Sequence, residues 1–442
     1  TGGMLTIGKK WIQDNVNKEV EVNMFGQELN PQTYSICKSD FLITNEQPQN
    51  IKLGSTLSRD GYPENDRKFD YMICNPPYGI SWKKEEVFIK QEYMNSEGRF
   101  PLGLPSISDG QLLFLQHMIS KMDKKSRIGL IFNVSPLVTG KSNQGPSNIR
   151  KWLLENDYLE TIVQLPEKMF FNTPITTYIW ILSNNKTSKR KGKLQLIDSS
   201  SCFTSLKKNL GQKSNEITEE HMEKIVSEYK NFEDTKISKI KEIKEFGYTD
   251  VELHKPLIKE GKVVKNKKGE PKPDKTLKEI ERVPLLESVQ SYFEREIKPF
   301  SPESWFDESK NKTGYQINFN KYYPTKSVLV PSLDIFKGIS ETNGSIDFSD
   351  LNKITTRGMD SSVEMKFSGF DWIGDIPRHW EVVRMSFLFR PISIKNHPDE
   401  QNLSVYRDYG VIPRDSRDDN RNILSEDLSG YKLVNEGDFV LN

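Results

Sequence analysis

Cysteine is scarce in this chain of 442 residues. The three cysteines, Cys37, Cys74 and Cys202, lack the paired spacing of a zinc site or a disulfide framework. Their spacing therefore argues against both kinds of site. Because unpaired thiols suit a reducing compartment, we expect a cytoplasmic protein without a bound metal.

The chain also lacks long apolar runs and an excess of either charge. No run approaches the roughly 20 apolar residues of a membrane-spanning helix, and no signal peptide is visible, so we expect no membrane partner. The 63 basic and 62 acidic residues give a formal net charge of +1. Bulk charge therefore does not indicate nucleic-acid binding, and any contact with DNA must come from local patches.

The most informative motif is Asn75-Pro76-Pro77-Tyr78, which follows the apolar run Phe69–Cys74. The run predicts a buried strand that ends in a stiff turn. Such a turn suits a planar base, since the Asn75 side-chain oxygen and the Pro76 carbonyl can accept hydrogen bonds from its exocyclic amine. Tyr78 can stack on the base. The alternative is an ordinary surface turn, because Asn and Pro favour turns anywhere.

The first 200 residues alternate short apolar strands with helical patterns. This alternation predicts an α/β fold with a doubly wound, mostly parallel sheet, in which ligands bind at the carboxyl ends of the strands. The predicted strands are 20–28, 50–54, 69–74, 127–132, 159–165 and 177–182, and the predicted helices are 4–15, 31–42, 109–122 and 147–156.

Composition divides the chain into four predicted segments. A catalytic domain covers 1–200, a charged and mainly helical tail covers 201–338, a linker covers 339–364, and a partial α+β segment covers 365–442. The tail is predicted to hold helices at 218–245 and 286–297 and a solvated hairpin or loop at 261–275. Two lysine-rich runs, 186–193 and 265–268, are candidates for phosphate contacts, although such runs are more often solvated surfaces.

A second group of residues points to a cofactor. Thr1, Gly2 and Gly3 precede a predicted helix, where backbone N–H groups can meet a polar ligand. Glu28 ends the next strand, where an acid can bind ribose hydroxyls, and Ser55 follows the third strand, within reach of an adenine. Each position also has an ordinary interpretation, as a helix start, an exposed carboxylate or a turn serine.

Taken together, these residues resemble the modification (methyltransferase) subunit of type I restriction-modification systems, an N6-adenine DNA methyltransferase. The resemblance runs from Thr1 to about Tyr323. It includes three stretches before residue 80 and three after residue 164, namely 1–5, 25–31, 69–79, 165–175, 246–248 and 314–319. Only the end of the family's glycine loop is present, so we interpret the chain as a fragment whose own activity is in doubt.

The resemblance implies S-adenosyl-L-methionine as methyl donor and an extruded adenine as acceptor. It also implies DNA, a specificity subunit, a second modification subunit and, in some systems, a restriction (endonuclease and translocase) subunit as partners. Asn75, Pro76, Pro77 and Tyr78 would be catalytic, with Thr1, Gly2, Gly3, Glu28 and Ser55 at the cofactor. Two aromatics in the predicted loop between strands, Phe170 and Phe171, would help Tyr78 to stack on the flipped base.

From about Met365 the chain is similar to the start of a type I specificity subunit, with its signature at 368–382. This similarity predicts a fusion with part of a target-recognition domain. Two other functions remain open. One is an Asn-Pro-Pro-Tyr methyltransferase that acts on protein glutamine or RNA, and the other is a non-catalytic DNA-binding or scaffold remnant.

Overall fold

The computed structural model describes residues 2–63, 68–259 and 262–323, together with 364–367, 375–378, 394–395, 397, 399–406, 410–416 and 431–435. It divides into two compact units, Thr1–Leu329 and Val330–Asn442, and each is considered by itself. The helices are α1 Gly3–Asn15, α2 Pro31–Ile43, α3 Glu86–Met94, α4 Gln111–Ser120, α5 Ser135–Val138, α6 Gly145–Glu155, α7 Glu219–Asn231 and α8 Val289–Glu296.

The strands of the first unit are β1 Gly26–Glu28, β2 Ile51–Leu53, β3 Phe69–Cys74, β4 Met122–Phe132, β5 Leu159–Gln164, β6 Tyr178–Ser183, β7 Lys193–Asp198, β8 Thr204–Leu210, β9 Lys213–Glu216, β10 Ser238–Glu242, β11 Gly247–His254, β12 Ile258–Lys259, β13 Lys262–Val263, β14 Glu279–Pro284, β15 Trp305–Phe306 and β16 Lys312–Tyr315. Those of the second unit are β17 Met365–Phe367, β18 Asp375–Pro377, β19 Leu403–Tyr406 and β20 Gly410–Pro413.

Six strands form the central sheet in the order β10-β7-β5-β6-β4-β3. The pairs β3–β4 and β5–β7 are parallel, while β6 lies antiparallel between β4 and β5. Hence β3, β4, β5 and β7 all run in one direction, and β6 and β10 run against them. The predicted α/β fold with a mostly parallel central sheet is confirmed.

Helices cover both faces of this sheet, and adjacent β5 residues show how. Ile162 packs in the cluster that contains α4 and α6 residues such as Leu115 and Leu153. Val163 points the other way and packs with Ile225 of α7. Because successive strand side chains alternate between faces, adjacent buried apolar residues such as Ile162 and Val163 are what a strand covered on both sides requires.

The start of the chain differs from the prediction. The strand expected at 20–28 is regular only at β1, and β1 pairs in parallel with β2 in a separate two-stranded sheet. In the described part of the chain β3 pairs only with β4, and Tyr71 on β3 is 70% exposed. The apolar alternation identified these strands but did not specify which of them pair.

The tail is only partly helical, so the prediction of a mainly helical segment is wrong there. Helix α7 ends at Asn231, well before residue 245, and β10 then joins the central sheet beside β7. Farther on, β14, β11, β15 and β16 form an antiparallel sheet. The predicted helix at 286–297 is present as α8. Within the predicted hairpin or loop at 261–275, the Lys272 N–H donates to the Val264 carbonyl at 2.8 Å and Lys265 bridges to Pro271, so residues 264–272 form a hairpin. The domain division at residue 200 stays a prediction.

The burial of Lys186 and Arg190 contradicts the prediction that these two residues of the run 186–193 contact phosphates. Both are buried, with Lys186 Nζ donating to Asp157 Oδ1 at 2.6 Å and Arg190 stacked on the ring of Tyr229. Buried, paired cations hold the end of the sheet together and are not available to DNA.

The second unit shows two antiparallel strand pairs, β17–β18 and β19–β20. Most of the predicted specificity signature at 368–382, and all of the predicted linker at 339–364 except Glu364, lie outside the described residues. Within those residues no helix is long and apolar enough to cross a membrane.

Candidate active site

The acceptor turn, residues 75–78, begins directly after β3, whose bounds agree with the prediction. The Tyr78 hydroxyl donates a hydrogen bond to Asn75 Oδ1 at 2.7 Å. Burial, with a smaller contribution from Cys74, raises the pKa of Tyr78 to about 12, so the hydroxyl keeps its proton and acts as donor. Asn75 is exposed and Tyr78 half-buried, so the turn faces solvent on one side.

The strand register places this turn on a single edge of the sheet with several other strand ends. Cys74 pairs with Leu130, and both Phe132 and Gln164 lie opposite Tyr178 at the start of β6. The carboxyl ends of β3, β4 and β5 and the amino end of β6 therefore lie together. As neighbouring strands are about 4.8 Å apart, the acceptor turn lies roughly 10 Å from the start of β6.

The aromatic loop, residues 165–177, joins β5 to β6 at this same edge. Phe170 is half-buried and Phe171 is 58% exposed, so neither ring belongs to the core. The Lys168 N–H donates to the Pro174 carbonyl at 3.1 Å, which closes the loop on itself. The loop thus presents two aromatic rings on the side of the sheet where the acceptor turn lies.

The proposed cofactor residues gather at the carboxyl end of β1 and β2. A Cβ at Gly2, whose φ is +77°, would lie 2.8 Å from Cys37 Sγ. Burial chiefly raises the pKa of the Cys37 thiol, and the charges of Asp40 and Glu28 make smaller contributions in the same direction. The Gly54 N–H donates to the Glu28 carbonyl at 3.0 Å, so the Ser55 turn adjoins them. Thr1 lies outside the described residues.

A small core joins this group to the acceptor turn. Leu57, just after the Ser55 turn, and Trp82, just after the acceptor turn, pack in one buried cluster with Leu113 of α4. The indole N–H of Trp82 also donates to the Ser106 carbonyl at 2.8 Å, and this hydrogen bond fixes the orientation of the ring. This shared apolar cluster therefore fixes the acceptor turn relative to the turn that contains Ser55, in addition to the covalent chain that connects them.

Sequence reasoning missed a polar network beside the acceptor turn. Buried Gln111 Nε2 donates to Asp109 Oδ1 at 2.9 Å and to Asn133 Oδ1 at 3.0 Å. Asn133 is the residue directly after β4, so the signal that identified Asn75, a polar side chain at a strand end, would also have found it. Asp109 also lines a cavity of about 410 Å³ that Ser135 and Gln144 border.

Arg99 holds the backbone of the turn that follows Ser55. Its guanidinium donates to the Thr56 carbonyl at 2.7 Å, the Leu57 carbonyl at 3.1 Å and His117 Nδ1 at 3.0 Å, and it pairs with Glu92. Because Arg can only donate, Nδ1 of His117 must be an unprotonated acceptor. Burial first, and Arg99 second, lower the pKa of His117 to about 4.

This lowered pKa predicts an acid-sensitive fold. Between pH 6.5 and about 4, His117 is protonated in the unfolded chain and neutral in the folded chain. The free energy of unfolding therefore falls as the pH falls through that range. From pH 7 to pH 5 we expect a loss of about 2 kcal/mol in the free energy of unfolding, measured by urea titration. His117→Asn keeps a hydrogen-bond acceptor but has no group that titrates in this range. Between pH 7 and pH 5 this variant should therefore lose about 2 kcal/mol less of its free energy of unfolding than the unaltered protein. Equal losses in the two proteins would contradict the assignment.

Comparisons with known proteins give the family. Residues 1–267 match the family model described as N-6 DNA methylase, and the chain belongs to this family. It is 28% identical over 262 residues to the type I restriction enzyme MjaVII methylase subunit of Methanocaldococcus jannaschii, covering 58% of this chain and 43% of that one. The HindI methylase subunit of Haemophilus influenzae is 28% identical over 215 residues, covering 45% and 42%.

Among solved structures, the chain is similar to a type I restriction-modification methyltransferase subunit from Streptococcus thermophilus. The TM-score is 0.44 and the identity 29%, over 51% of this chain and 45% of that one. The chain thus spans less than half the length of the relatives that it matches.

Proposed function

We propose that the chain carries the catalytic part of a DNA methyltransferase that transfers a methyl group from S-adenosylmethionine to N6 of adenine in a type I restriction-modification complex. The observation that supports this most is the acceptor turn at the carboxyl edge of the sheet, beside an aromatic loop and joined by a shared core to the cofactor residues. Family membership supports a DNA substrate.

The acceptor turn would act on the amine of the target base. That nitrogen is a poor nucleophile because its lone pair is delocalised into the ring. Asn75 Oδ1 and the Pro76 carbonyl would accept hydrogen bonds from its two N–H groups and favour a tetrahedral nitrogen. Its lone pair would form the new N–C bond as the bond between the methyl group and sulfur breaks, and the methylated nitrogen would then lose a proton to solvent. Among the described residues no hydrogen bond occupies the Pro76 carbonyl, and only the Tyr78 hydroxyl donates to Asn75 Oδ1.

The residues at the carboxyl end of β1 fit S-adenosylmethionine, which supplies a methyl group on a positively charged sulfur. The N-terminus of α1, with open space at Gly3, offers backbone donors for a carboxylate. Glu28 Oε1 accepts from the Asn30 N–H at 2.8 Å, and the carboxylate is the group that would hold ribose hydroxyls. Ser55, whose Oγ lies 3.5 Å from Glu85 Oε1, would border the adenine.

Methyl transfer from labelled S-adenosylmethionine tests the proposal directly. The full chain is assayed with duplex DNA, with RNA and with a glutamine-containing protein, each with and without a complete type I specificity subunit. We expect N6-methyladenine, identified by mass spectrometry of the nucleosides, in the DNA sample that contains the specificity subunit. Label in RNA or protein would favour the alternative methyltransferase, and cofactor binding without transfer would favour a scaffold.

Site choice is expected to reside after Met365 or in a partner subunit. The sequence of residues 1–323 predicts no recognition helix with base-reading side chains beside a basic stripe, so we expect direct reading of bases there to be weak. Mapping of N6-methyladenine in cells by long-read sequencing tests this. Methylation that persists at the same motif in cells that express the protein with the recognition segment after Met365 deleted, and with no other specificity subunit present, would show that residues 1–323 read sequence themselves.

Tyr78 should contribute through its ring more than through its hydroxyl. Stacking of a base on an aromatic ring is worth about 1–3 kcal/mol, so Tyr78→Ala should weaken binding of an extruded base by that amount. Tyr78→Phe keeps the ring and should bind as the unaltered protein does. The measurement is the fluorescence of 2-aminopurine at the target position, titrated with each protein. Identical titrations for Tyr78→Ala and the unaltered protein would remove Tyr78 from the base site.

A further inference from the structure

The hairpin formed by β8 and β9, residues 204–216, is attached to the aromatic loop by backbone hydrogen bonds. The Gln212 N–H donates to the Phe171 carbonyl at 3.0 Å, and the Ser214 N–H donates to the Lys168 carbonyl at 3.1 Å. A Cβ at Gly211, where φ is +62°, would lie 2.7 Å from the Phe171 oxygen. The hairpin turn therefore touches the backbone of the more exposed aromatic residue.

A second attachment fixes the other side of the hairpin. Asn215 Nδ2 donates to the Glu167 carbonyl at 2.9 Å, at the start of the aromatic loop. Between Ser205 and Leu210 the strand register shifts, so the residues of β8 outnumber those of β9 that face them. Lys207 and Lys208 lie in this bulge, and both are exposed. Bulges of this kind redirect side chains and recur beside functional sites.

The hairpin and the loop carry a local positive charge in a nearly neutral chain. Lys168, Lys207 and Lys208 are exposed and Lys213 is half-buried. Within the described part of the chain none of these ammonium groups forms an ion pair with a carboxylate. The nearest acid in sequence, Glu167, accepts from the Thr176 hydroxyl at 3.1 Å. The charge is therefore not cancelled by a bonded carboxylate.

We propose that the β8–β9 hairpin binds the phosphates of the DNA strand next to the base that enters the site, and that it holds the aromatic loop against that base. This inference rests on the proposed function, because it takes DNA as the acceptor. Phosphate contacts position a protein on DNA, while contacts with bases give selectivity. Because the hairpin is hydrogen-bonded to the Phe171 backbone, a hairpin that binds a phosphate would also position the aromatic loop beside the neighbouring base.

The experiment compares two exposed lysine pairs. Lys207→Gln with Lys208→Gln neutralises the proposed phosphate-binding pair, and Lys124→Gln with Lys125→Gln neutralises a pair near the amino end of β4, at the sheet edge away from the acceptor turn. Binding of the full chain to a fluorescein-labelled duplex of mixed sequence is measured between about 50 and 200 mM salt, a range over which phosphate binding weakens steeply. Substitutions at exposed positions seldom alter folding, and circular dichroism checks this.

We expect the first variant to bind at least about 10-fold more weakly at about 100 mM salt. The slope of log K against log salt concentration is negative, and each phosphate that the protein no longer neutralises makes it less negative by about 0.9. Removal of both lysine charges should therefore make it less negative by about 1.8. The variant of Lys124 and Lys125 should match the unaltered chain in affinity and slope. Unaltered slope in the first variant, or an equal loss of affinity in both, overturns the role of the hairpin.

Methyl transfer by the unaltered chain separates this inference from the proposed function. If DNA is methylated while the first variant keeps its full salt slope, the hairpin inference fails and the proposed function stands. If the unaltered chain neither binds nor methylates DNA with a complete specificity subunit present, both fail.

Discussion

Replacement of Asn75 by Ala should lower the rate of methyl transfer by about 10²–10³-fold. In the proposed function the side-chain oxygen is one of two acceptors for the amine on which positive charge develops, and loss of a single preorganised group of this kind at comparable sites costs that much. Single-turnover kinetics with S-adenosylmethionine and target DNA, in the presence of a complete specificity subunit, provides the measurement. Cofactor affinity should stay nearly the same, because Glu28, the proposed ribose-binding residue, lies at the end of β1 and not on the acceptor turn.

The hydrogen bond between Tyr78 and Asn75 requires a control. Asn75→Ala also removes the partner of the Tyr78 hydroxyl, so a slower reaction could come from a displaced tyrosine. The double variant Asn75→Ala with Tyr78→Phe has no hydroxyl to displace. We expect it to be as slow as Asn75→Ala. Recovery of the rate in the double variant, or near-normal turnover in the single one, would contradict an acceptor role for Asn75.

Sequence alone predicted the elements whose signals are local. Strand β3 has its predicted bounds, and α2 ends at Ile43, one residue beyond the prediction. Helix α2 is marked by Asn30, whose side chain accepts from the Gln32 and Thr33 N–H groups, and by proline in the first turn. Both signals depend on residues a few positions apart, which a single sequence contains in full.

The sheet pairings and the burial of charges could not be predicted in this way. Strand β10 lies between α7 and β11 in a Lys- and Glu-rich stretch, and its partner β7 lies far earlier in the chain. Lys186 looks like part of a solvated run until Asp157 is placed beside it. Pairing over such distances depends on loop closure and packing, which local composition does not encode.

The candidate site was predictable where polar residues end strands and unpredictable where separate segments meet. Asn75 and Glu28 were identified because each follows or ends an apolar strand. The attachment of the β8–β9 hairpin to the aromatic loop could not be predicted. It is formed mainly by backbone N–H and carbonyl groups, which every residue type except proline carries, so the sequence does not indicate it. The roles of Phe170 and Phe171 stay predictions, although their exposure at the same sheet edge is compatible with stacking.

Replacement of Glu28 by Ala should weaken binding of S-adenosylmethionine by about 1.5–3 kcal/mol, or about 10- to 150-fold, through loss of charge-assisted hydrogen bonds to the ribose. Asp40→Ala is a matched control. Asp40 also acts on the pKa of Cys37, so it lies in the same neighbourhood, but it is on α2 and not at a strand end. Both variants remove one negative charge, and only the first removes a carboxylate from the end of β1.

Calorimetric titration of the full chain with S-adenosylmethionine distinguishes these two carboxylates. A general effect of charge would shift both affinities equally, whereas a ribose contact would shift only that of Glu28→Ala. Glu28→Gln adds a test of charge, because it keeps an acceptor for the Asn30 N–H and should fall between Ala and the unaltered chain. DNA affinity without cofactor should not change in any of them. Equal cofactor affinities for Glu28→Ala and Asp40→Ala would remove Glu28 from the cofactor site.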